Sequence, residues 1–132
     1  MSKLLGIDYG SSKVGLAIAD TETKTAVPFE VVRNSEFGIR INEVIKSEEI
    51  GKIVIGLPLN MKGEETAQTK AAESFIEDLR SKIDIEVVTE DERLSTVQAK
   101  KQGQTALTAK RSEDDAVAAM YILQSYLDRI YG

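Results

Sequence analysis

One carboxylate lies inside an apolar segment near the N-terminus, and it limits what the chain can fold into. Residues 3–10 and 13–20 are rich in Leu, Ile and Val with small residues between, and Gly10-Ser11-Ser12 is a turn, which predicts a β-hairpin. Asp8 falls within the first strand of this hairpin. Burying an ionised carboxylate is costly unless a cation or hydrogen-bond donors meet it. Asp8 is therefore either paired by the protein, with Lys13 as the main candidate, or reserved for a cation or a substrate.

The composition narrows the chemistry open to such a carboxylate. The chain has 132 residues, the size of one domain spanning 1–132, and it contains no cysteine and no histidine. These absences exclude disulfides, zinc–thiolate sites and Ser-His or Cys-His nucleophiles. A metal would have to be held by carboxylates, carbonyls and water, which suits Mg²⁺ or Mn²⁺. Without an apolar run long enough for a membrane span or a signal peptide, we expect a cytoplasmic protein with no membrane partner.

The rest of the chain alternates between strand and helix patterns. Strands are predicted at 25–33, 52–57 and 83–89, and helices at 36–49, 64–82, 94–102 and from 112 or 113 to 130. Pro28 cannot donate a ladder hydrogen bond, so the third strand is expected at a sheet edge. Strands joined directly should pair antiparallel, and strands reached through helices should be parallel. The order predicts an RNase H-like α/β fold: a five-stranded mixed sheet, with an antiparallel hairpin meander and two parallel strands, flanked by helices.

Two acidic clusters lie far along the chain from Asp8. Asp91 and Glu92 follow the last predicted strand, and Asp114 and Asp115 begin the last predicted helix. Ligand sites in open α/β sheets favour the carboxyl ends of the strands, where these groups could meet Asp8. Three neighbouring carboxylates repel one another unless a divalent cation lies between them. Two such cations are the usual device for displacement at a phosphodiester.

Each cluster also has a simpler interpretation. Residues 89–92 and 112–115 both match the [ST]-x-x-[DE] capping box, in which the acidic side chain returns a hydrogen bond to the helix N-cap. Acidic residues also favour a helix N-terminus because of the helix dipole. Capping cannot explain Asp8, which lies within a strand. Asp8 is therefore the acidic residue with the clearest indication of a functional role.

The segment between the two acidic clusters is basic, although the net charge of the chain is -5. Its five basic residues are Arg93, Lys100, Lys101, Lys110 and Arg111. A solvated helix face is one explanation for such a run. A surface that receives a nucleic-acid backbone is the other, and the acidic residues on either side favour it.

Four segments in order resemble the YqgF (RuvX) family, RNase H-like Holliday junction resolvases that are also described as pre-16S rRNA nucleases. These segments are residues 8–20, 54–63, 91–96 and 115–127. The resemblance implies a metal-dependent nuclease that acts on an rRNA precursor or on branched DNA, as a monomer or a homodimer. It implies Asp8, Glu92 and Asp115 as catalytic ligands of Mg²⁺ or Mn²⁺ in a two-metal site, with Asp91 or Asp114 as substitutes.

Lys13 departs from the family pattern, which usually has Lys-Arg where this chain has Ser12-Lys13. An arginine binds phosphate through two parallel hydrogen bonds, whereas a lysine offers a point charge. We still expect Lys13 and the five basic residues of the 93–111 segment to contact nucleic acid. Two other functions stay open: a non-catalytic RNA- or ribosome-binding factor, and a small ATP-binding module of the actin or sugar-kinase type, which the turn at 10–12 resembles.

Overall fold

The computed structural model describes residues 2–94 and 115–132, which form one five-stranded sheet with helices on both faces. The strands are β1 (Lys3–Tyr9), β2 (Lys13–Asp20), β3 (Thr25–Arg33), β4 (Ile50–Leu57) and β5 (Glu86–Asp91). The helices are α1 (Phe37–Ser47), preceded by a 3₁₀ turn at Asn34–Glu36, α2 (Ala67–Lys82) and α3 (Asp115–Tyr131). Across these two ranges, no helix has the length and apolar character needed to cross a membrane.

The strand order is β3-β2-β1-β4-β5, so β1 is the central strand. Strands β1, β2 and β3 pair antiparallel, whereas β4 pairs parallel to β1 and β5 pairs parallel to β4. This arrangement confirms the predicted mixed sheet, including the edge position of the strand that contains Pro28. Because β1, β4 and β5 run in the same direction, their carboxyl ends meet at one edge of the sheet.

One face of the sheet is covered by α1 and α2 and is filled with large apolar side chains. Leu5 and Ile7 of β1 point to this face, where they pack with Phe37 of α1 and Ile76 of α2. Tyr9 stacks on Phe75 with ring centroids 4.3 Å apart, which joins the end of β1 to α2. The apolar spacing predicted for α1 is confirmed, because Phe37, Ile41 and Val44 are buried.

The opposite face is covered by α3 and carries smaller side chains. Leu4, Ala17 and Val54 of the strands pack there against residues of α3 such as Leu123. A Cβ on Gly6 would lie 2.8 Å from the Cβ of Leu123. The helix therefore lies closer to the strands than a larger residue at this position would allow.

Several predicted boundaries are wrong. Helix α2 begins at Ala67 rather than at 64, because Thr66 is its N-cap and its side chain accepts a hydrogen bond from the amide of Thr69. Strand β5 begins three residues later than predicted, and it ends later because its parallel pairing with β4 extends to Asp91. Strand β4 begins two residues earlier than predicted, and α1 is shorter than predicted at both ends. Of the predicted helix at 94–102, all but residue 94 lies outside the described residues.

Candidate active site

Asp8 lies near the carboxyl end of β1, directly opposite Gly15 of β2. Side chains alternate along a strand, so Asp8 points to the same face as Leu4, the face that α3 covers. Its side chain is partly exposed, because the strand ends there at the edge of the sheet. The carboxylate predicted to be functional is therefore on the central strand and open to ligands.

Gly15 allows the first residue of α3 to lie beside Asp8. A Cβ at position 15 would overlap the backbone carbonyl oxygen of Asp115. Since the overlapping atom belongs to the main chain, the helix itself would have to move to make room. The structure thus brings Asp8 and Asp115 together, although 106 residues lie between them in the sequence.

Gly56 plays the same part for Glu92 on the neighbouring strand. The register that pairs Ile7 with Ile55 places Gly56 next to Asp8. A Cβ on Gly56 would lie 2.8 Å from Oε2 of Glu92. The side chain of Glu92 therefore lies over β4, one strand away from Asp8, in space that only a glycine leaves open.

An open pocket of about 260 Å³ lies at this edge of the sheet. It is lined by Asp8 and Asp115, by the turn at 10–12 and by Lys13. Asn34 fixes the turn, because its backbone amide donates to the carbonyl oxygen of Ser12 at 2.9 Å and its side chain to that of Gly10 at 2.7 Å. Two carboxylates, one ammonium group and a fixed backbone turn thus face the same space.

The donor chemistry of this pocket fits a hard divalent cation. Carboxylate oxygens are the protein ligands that Mg²⁺ and Mn²⁺ prefer, and both cations usually keep several water or phosphate ligands. Among residues 2–94 and 115–132, no three acidic side chains are close enough together to form a metal-binding group on their own. The pocket therefore offers Asp8 and Asp115 as a pair, and Glu92 approaches from the side of β4.

Asp91 has a different role from its neighbour Glu92. Its Oδ1 accepts a hydrogen bond from the backbone amide of Arg93 at 2.9 Å, which caps the helical turn that begins at residue 92. Its carboxylate also forms a salt bridge with the Arg93 guanidinium, with Nη2 at 2.6 Å from Oδ2. These hydrogen bonds hold the pKa of Asp91 below its usual value. Asp91 is thus the capping residue, and Thr89, which lies inside β5, is not.

The guanidinium group of Arg93 is largely occupied by contacts with Asp91 and with the turn at Gly63. Besides its bonds to Asp91, its Nη1 lies 3.1 Å from the position that a Cβ on Gly63 would occupy. The predicted nucleic-acid contact of Arg93 would thus have to share this group with Asp91. Lys100, Lys101, Lys110, Arg111, Asp114 and Ser112 lie outside the described residues.

A partly buried ion pair joins β5 to α3, and the sequence pattern did not indicate it. Glu90 is 1% exposed and accepts hydrogen bonds from Ser125 Oγ at 2.7 Å and from Arg129 Nη2 at 2.5 Å. Glu90 lies in β5 two residues before Glu92, so the pair holds this strand end against the helix that carries Asp115. It raises the pKa of Arg129.

The arrangement of sheet and helices matches that of resolvases of solved structure. RuvC from T. thermophilus in complex with a Holliday junction substrate has a TM-score of 0.64 and 15% identity, with 98% of this chain and 95% of that chain covered. The fowlpox virus resolvase, solved with Holliday junction DNA, has a TM-score of 0.56 and 11% identity, with 98% and 99% covered. The chain therefore has the RNase H-like α/β fold of these structures.

The sequence comparison narrows this class to one family. The family model described as "RuvX: Holliday junction resolvase" matches residues 2–129, and the chain belongs to this family. A protein from Sulfurihydrogenibium sp. named "Putative pre-16S rRNA nuclease" is 42% identical, with 98% of this chain and 92% of the relative covered. A protein of the same name from Endomicrobium trichonymphae is 40% identical, with 97% and 96% covered. Membership places the chain among nucleases, which are hydrolases that act on nucleic acid.

Proposed function

We propose that this chain hydrolyses phosphodiester bonds in an rRNA precursor with the help of Mg²⁺ or Mn²⁺. The observation that carries the proposal is the pocket in which Asp8 and Asp115 face the turn at 10–12 and Lys13. The names of the curated relatives favour an rRNA precursor as the substrate. The proposal places the chain in the cytoplasm, where bacterial rRNA precursors are processed.

In the proposed two-metal site, the cations would be held by Asp8, Glu92 and Asp115. Bound cations would neutralise charge on the phosphate and lower the pKa of a water molecule. These carboxylates would orient the cations, because each is positioned by the backbone. Asp8 lies on the central strand, and Asp115 begins α3 where its backbone contacts Gly15. Glu92 lies over Gly56.

The phosphate group of the substrate would be held by the opposite wall of the pocket. Lys13 supplies a positive charge there, and the amides of the turn at 10–12 can donate to phosphate oxygens. Lys100, Lys101, Lys110 and Arg111 remain proposed contacts to the nucleic-acid backbone. Nucleic acid is thus the proposed partner of this surface.

The test compares cleavage of an rRNA precursor by the wild type and by Asp8→Asn, with Mg²⁺ or Mn²⁺. We expect Asp8→Asn to lower the rate by at least about 100-fold, since a metal ligand contributes several kcal/mol to stabilisation of the transition state. Asp84→Asn is the matched control, because Asp84 is exposed just before β5, at the opposite end of that strand from Glu92. Its rate should equal that of the wild type.

Other outcomes would contradict the proposal in distinct ways. Equal cleavage by Asp8→Asn would remove Asp8 from the metal site. Tight, metal-independent binding of RNA without cleavage would show a non-catalytic binding factor. A rise in melting temperature with ATP would favour the nucleotide-binding module.

Resolution of a four-way DNA junction is the second candidate, and the family description favours it. A resolvase must cut two strands, so this function would require a homodimer, whereas processing of RNA could be done by a monomer. Cleavage of a four-way junction in preference to the rRNA precursor, by a protein that sediments as a dimer, would replace the first candidate by this one.

A further inference from the structure

The segment between β4 and α2 presents an exposed methionine in a turn that Arg93, the neighbour of Glu92, contacts. Met61 is 88% exposed, more than any other large apolar side chain in the described part of the chain. It follows β4, whose end carries Gly56 and the overlying Glu92. When a ligand covers an apolar side chain that is exposed to water, the free energy of the complex is lowered.

The backbone holds Met61 at the tip of a tight turn. The amide of Gly63 donates to the carbonyl oxygen of Asn60 at 2.9 Å, so Met61 and Lys62 are the two central residues of a β-turn. Gly63 has a φ of 81°, which a glycine adopts without strain. Leu59 and Glu65 form an antiparallel bridge that closes the turn from below.

Side chains on both sides of the turn add to its rigidity. Oδ1 of Asn60 accepts hydrogen bonds from the amides of Lys62 at 3.0 Å and of Glu64 at 2.9 Å. The hydroxyl of Thr69 in α2 donates to the carbonyl oxygen of Pro58. The turn is therefore held at both its tip and its base, and it positions Met61 in one place.

Arg93 ties the same turn to the strand end that carries Glu92. Its guanidinium packs against Gly63 and is fixed by the carboxylate of Asp91. Leu57, just before the turn, is paired with Asp91 of β5. The backbone of the turn that carries Met61 is thus held against the strand end that Glu92 follows.

We propose that Met61 is a wedge that inserts against the last base pair where a paired region of the RNA substrate meets a single strand. Apolar side chains such as methionine are used in this way to unstack base steps. Lys62, the adjacent residue of the turn, is exposed and carries the positive charge for the nearby phosphate. Glu64 does not oppose this charge freely, because it accepts a hydrogen bond from the side chain of Asn60 at 3.1 Å. The inference rests on the proposed function and adds the structural feature that the site recognises.

A fluorescence measurement tests the wedge directly. The probe is an RNA hairpin with a single-stranded extension and 2-aminopurine in its last base pair, bound to Asp8→Asn protein in Mg²⁺ so that cleavage is suppressed. Unstacking of this base should raise its fluorescence by about 3-fold or more. Adding Met61→Ser to Asp8→Asn should leave the fluorescence close to that of free RNA. Adding Met61→Leu should preserve the increase, because leucine keeps the apolar bulk.

Cleavage provides the second measurement, with Ile39→Ser as the matched control. Ile39 is also a large apolar residue, 75% exposed, but it lies on α1, which covers the face opposite to α3. On the hairpin, Met61→Ser should cleave about 10-fold more slowly than the wild type, because the variant loses the apolar contact between residue 61 and the base pair. On an unstructured single strand of the same length, the difference should be less than about 2-fold. Ile39→Ser should match the wild type on both.

The two proposals fail in distinguishable ways. If the Asp8→Asn protein binds the hairpin without a change in fluorescence, or if Met61→Ser cleaves both RNAs at the wild-type rate, the wedge is wrong and the nuclease proposal stands. If the wild type neither binds nor cleaves either RNA, both proposals are wrong.

Discussion

The face of the sheet under α1 and α2 is filled with Leu, Ile, Val and Phe, whereas the face under α3 has alanine and glycine at many of the equivalent places. The first face has no buried charged residue among those described, but the second contains Glu90 and, at its open edge, Asp8. The two faces are formed by alternate residues of the same strands.

This difference separates stability from function. Large side chains bury more apolar area, so the face under α1 and α2 contributes more hydrophobic free energy. Small residues under α3 let its backbone approach the strands, and this approach brings Asp115 to Asp8. This face also buries the carboxylate of Glu90, whose desolvation is unfavourable and is offset by hydrogen bonds from Ser125 and Arg129.

Gly15→Ala should produce the largest effect on cleavage, and it tests the face under α3. The new Cβ would overlap the backbone of Asp115, so the start of α3 must move away from Asp8. We expect a loss of about 2–3 kcal/mol in the free energy of unfolding and a fall in cleavage rate of at least about 100-fold. Chemical denaturation and a cleavage assay measure the two effects.

Gly38→Ala is the control for this substitution. Nothing lies within 4 Å of a Cβ at this position of α1, and alanine is the better helix former, so the protein should gain up to about 1 kcal/mol with unchanged cleavage. A Gly15→Ala protein with wild-type activity would show that the close approach of α3 is not needed.

Ile53→Ala tests the face under α1 and α2. Ile53 is fully buried in that cluster, and its truncation should cost about 3–4 kcal/mol in the free energy of unfolding. The rate of cleavage per folded molecule should stay within about 2-fold of the wild type, since α3 and the acidic residues lie on the other face. Should the variant not fold, Ile53→Val offers the same test at about 1 kcal/mol. A large loss of activity without a loss of stability would contradict the view that the face under α1 and α2 serves mainly stability.

Arg40→Met should have the smallest effect, and the effect should depend on pH. Arg40 donates to Glu30 at 2.6 Å and so lowers the pKa of Glu30 from its usual 4.5. A carboxyl group with a lowered pKa stabilises the folded state above its unfolded pKa, and this contribution is lost as the pH falls through the folded value. Both side chains are about one-third exposed, so we expect less than about 1 kcal/mol at pH 7.

Denaturation curves from pH 7 down to acid measure this contribution. The difference between the wild type and Arg40→Met should shrink as the pH falls below 4.5, and cleavage at pH 7 should not change. A difference that grows towards acid pH would contradict the assigned direction of the pKa shift.

Local patterns in the sequence were sufficient for the fold and for naming Asp8 as a candidate site residue. Alternation and the Gly-Ser-Ser turn indicated the hairpin, Pro28 indicated the edge strand, and the order of strands and helices indicated the mixed sheet. Asp8 was found because a carboxylate in an apolar strand conflicts with its surroundings. Each of these signals depends on residues that are neighbours in the chain.

Roles that depend on distant residues could not be found in this way. The sequence left Asp91 open as a substitute for Glu92, but β5 extends to Asp91, whose carboxylate caps the next turn and binds Arg93, while Glu92 lies over Gly56. Isolated glycines within strands are a signal of close backbone approach, and Gly15 and Gly56 could have been noted on that ground. What approaches them is decided only when α3 and the end of β5 pack against the sheet.

The sequence by itself thus determined the sheet, its edge and the carboxylate of Asp8, because strand propensity and burial act over a few residues. Only the tertiary structure shows how Asp115 is brought towards Asp8, because that depends on how closely a helix of residues 115–131 can approach strands formed by residues 3–57. The absence of a side chain at Gly15 and Gly56 sets this distance.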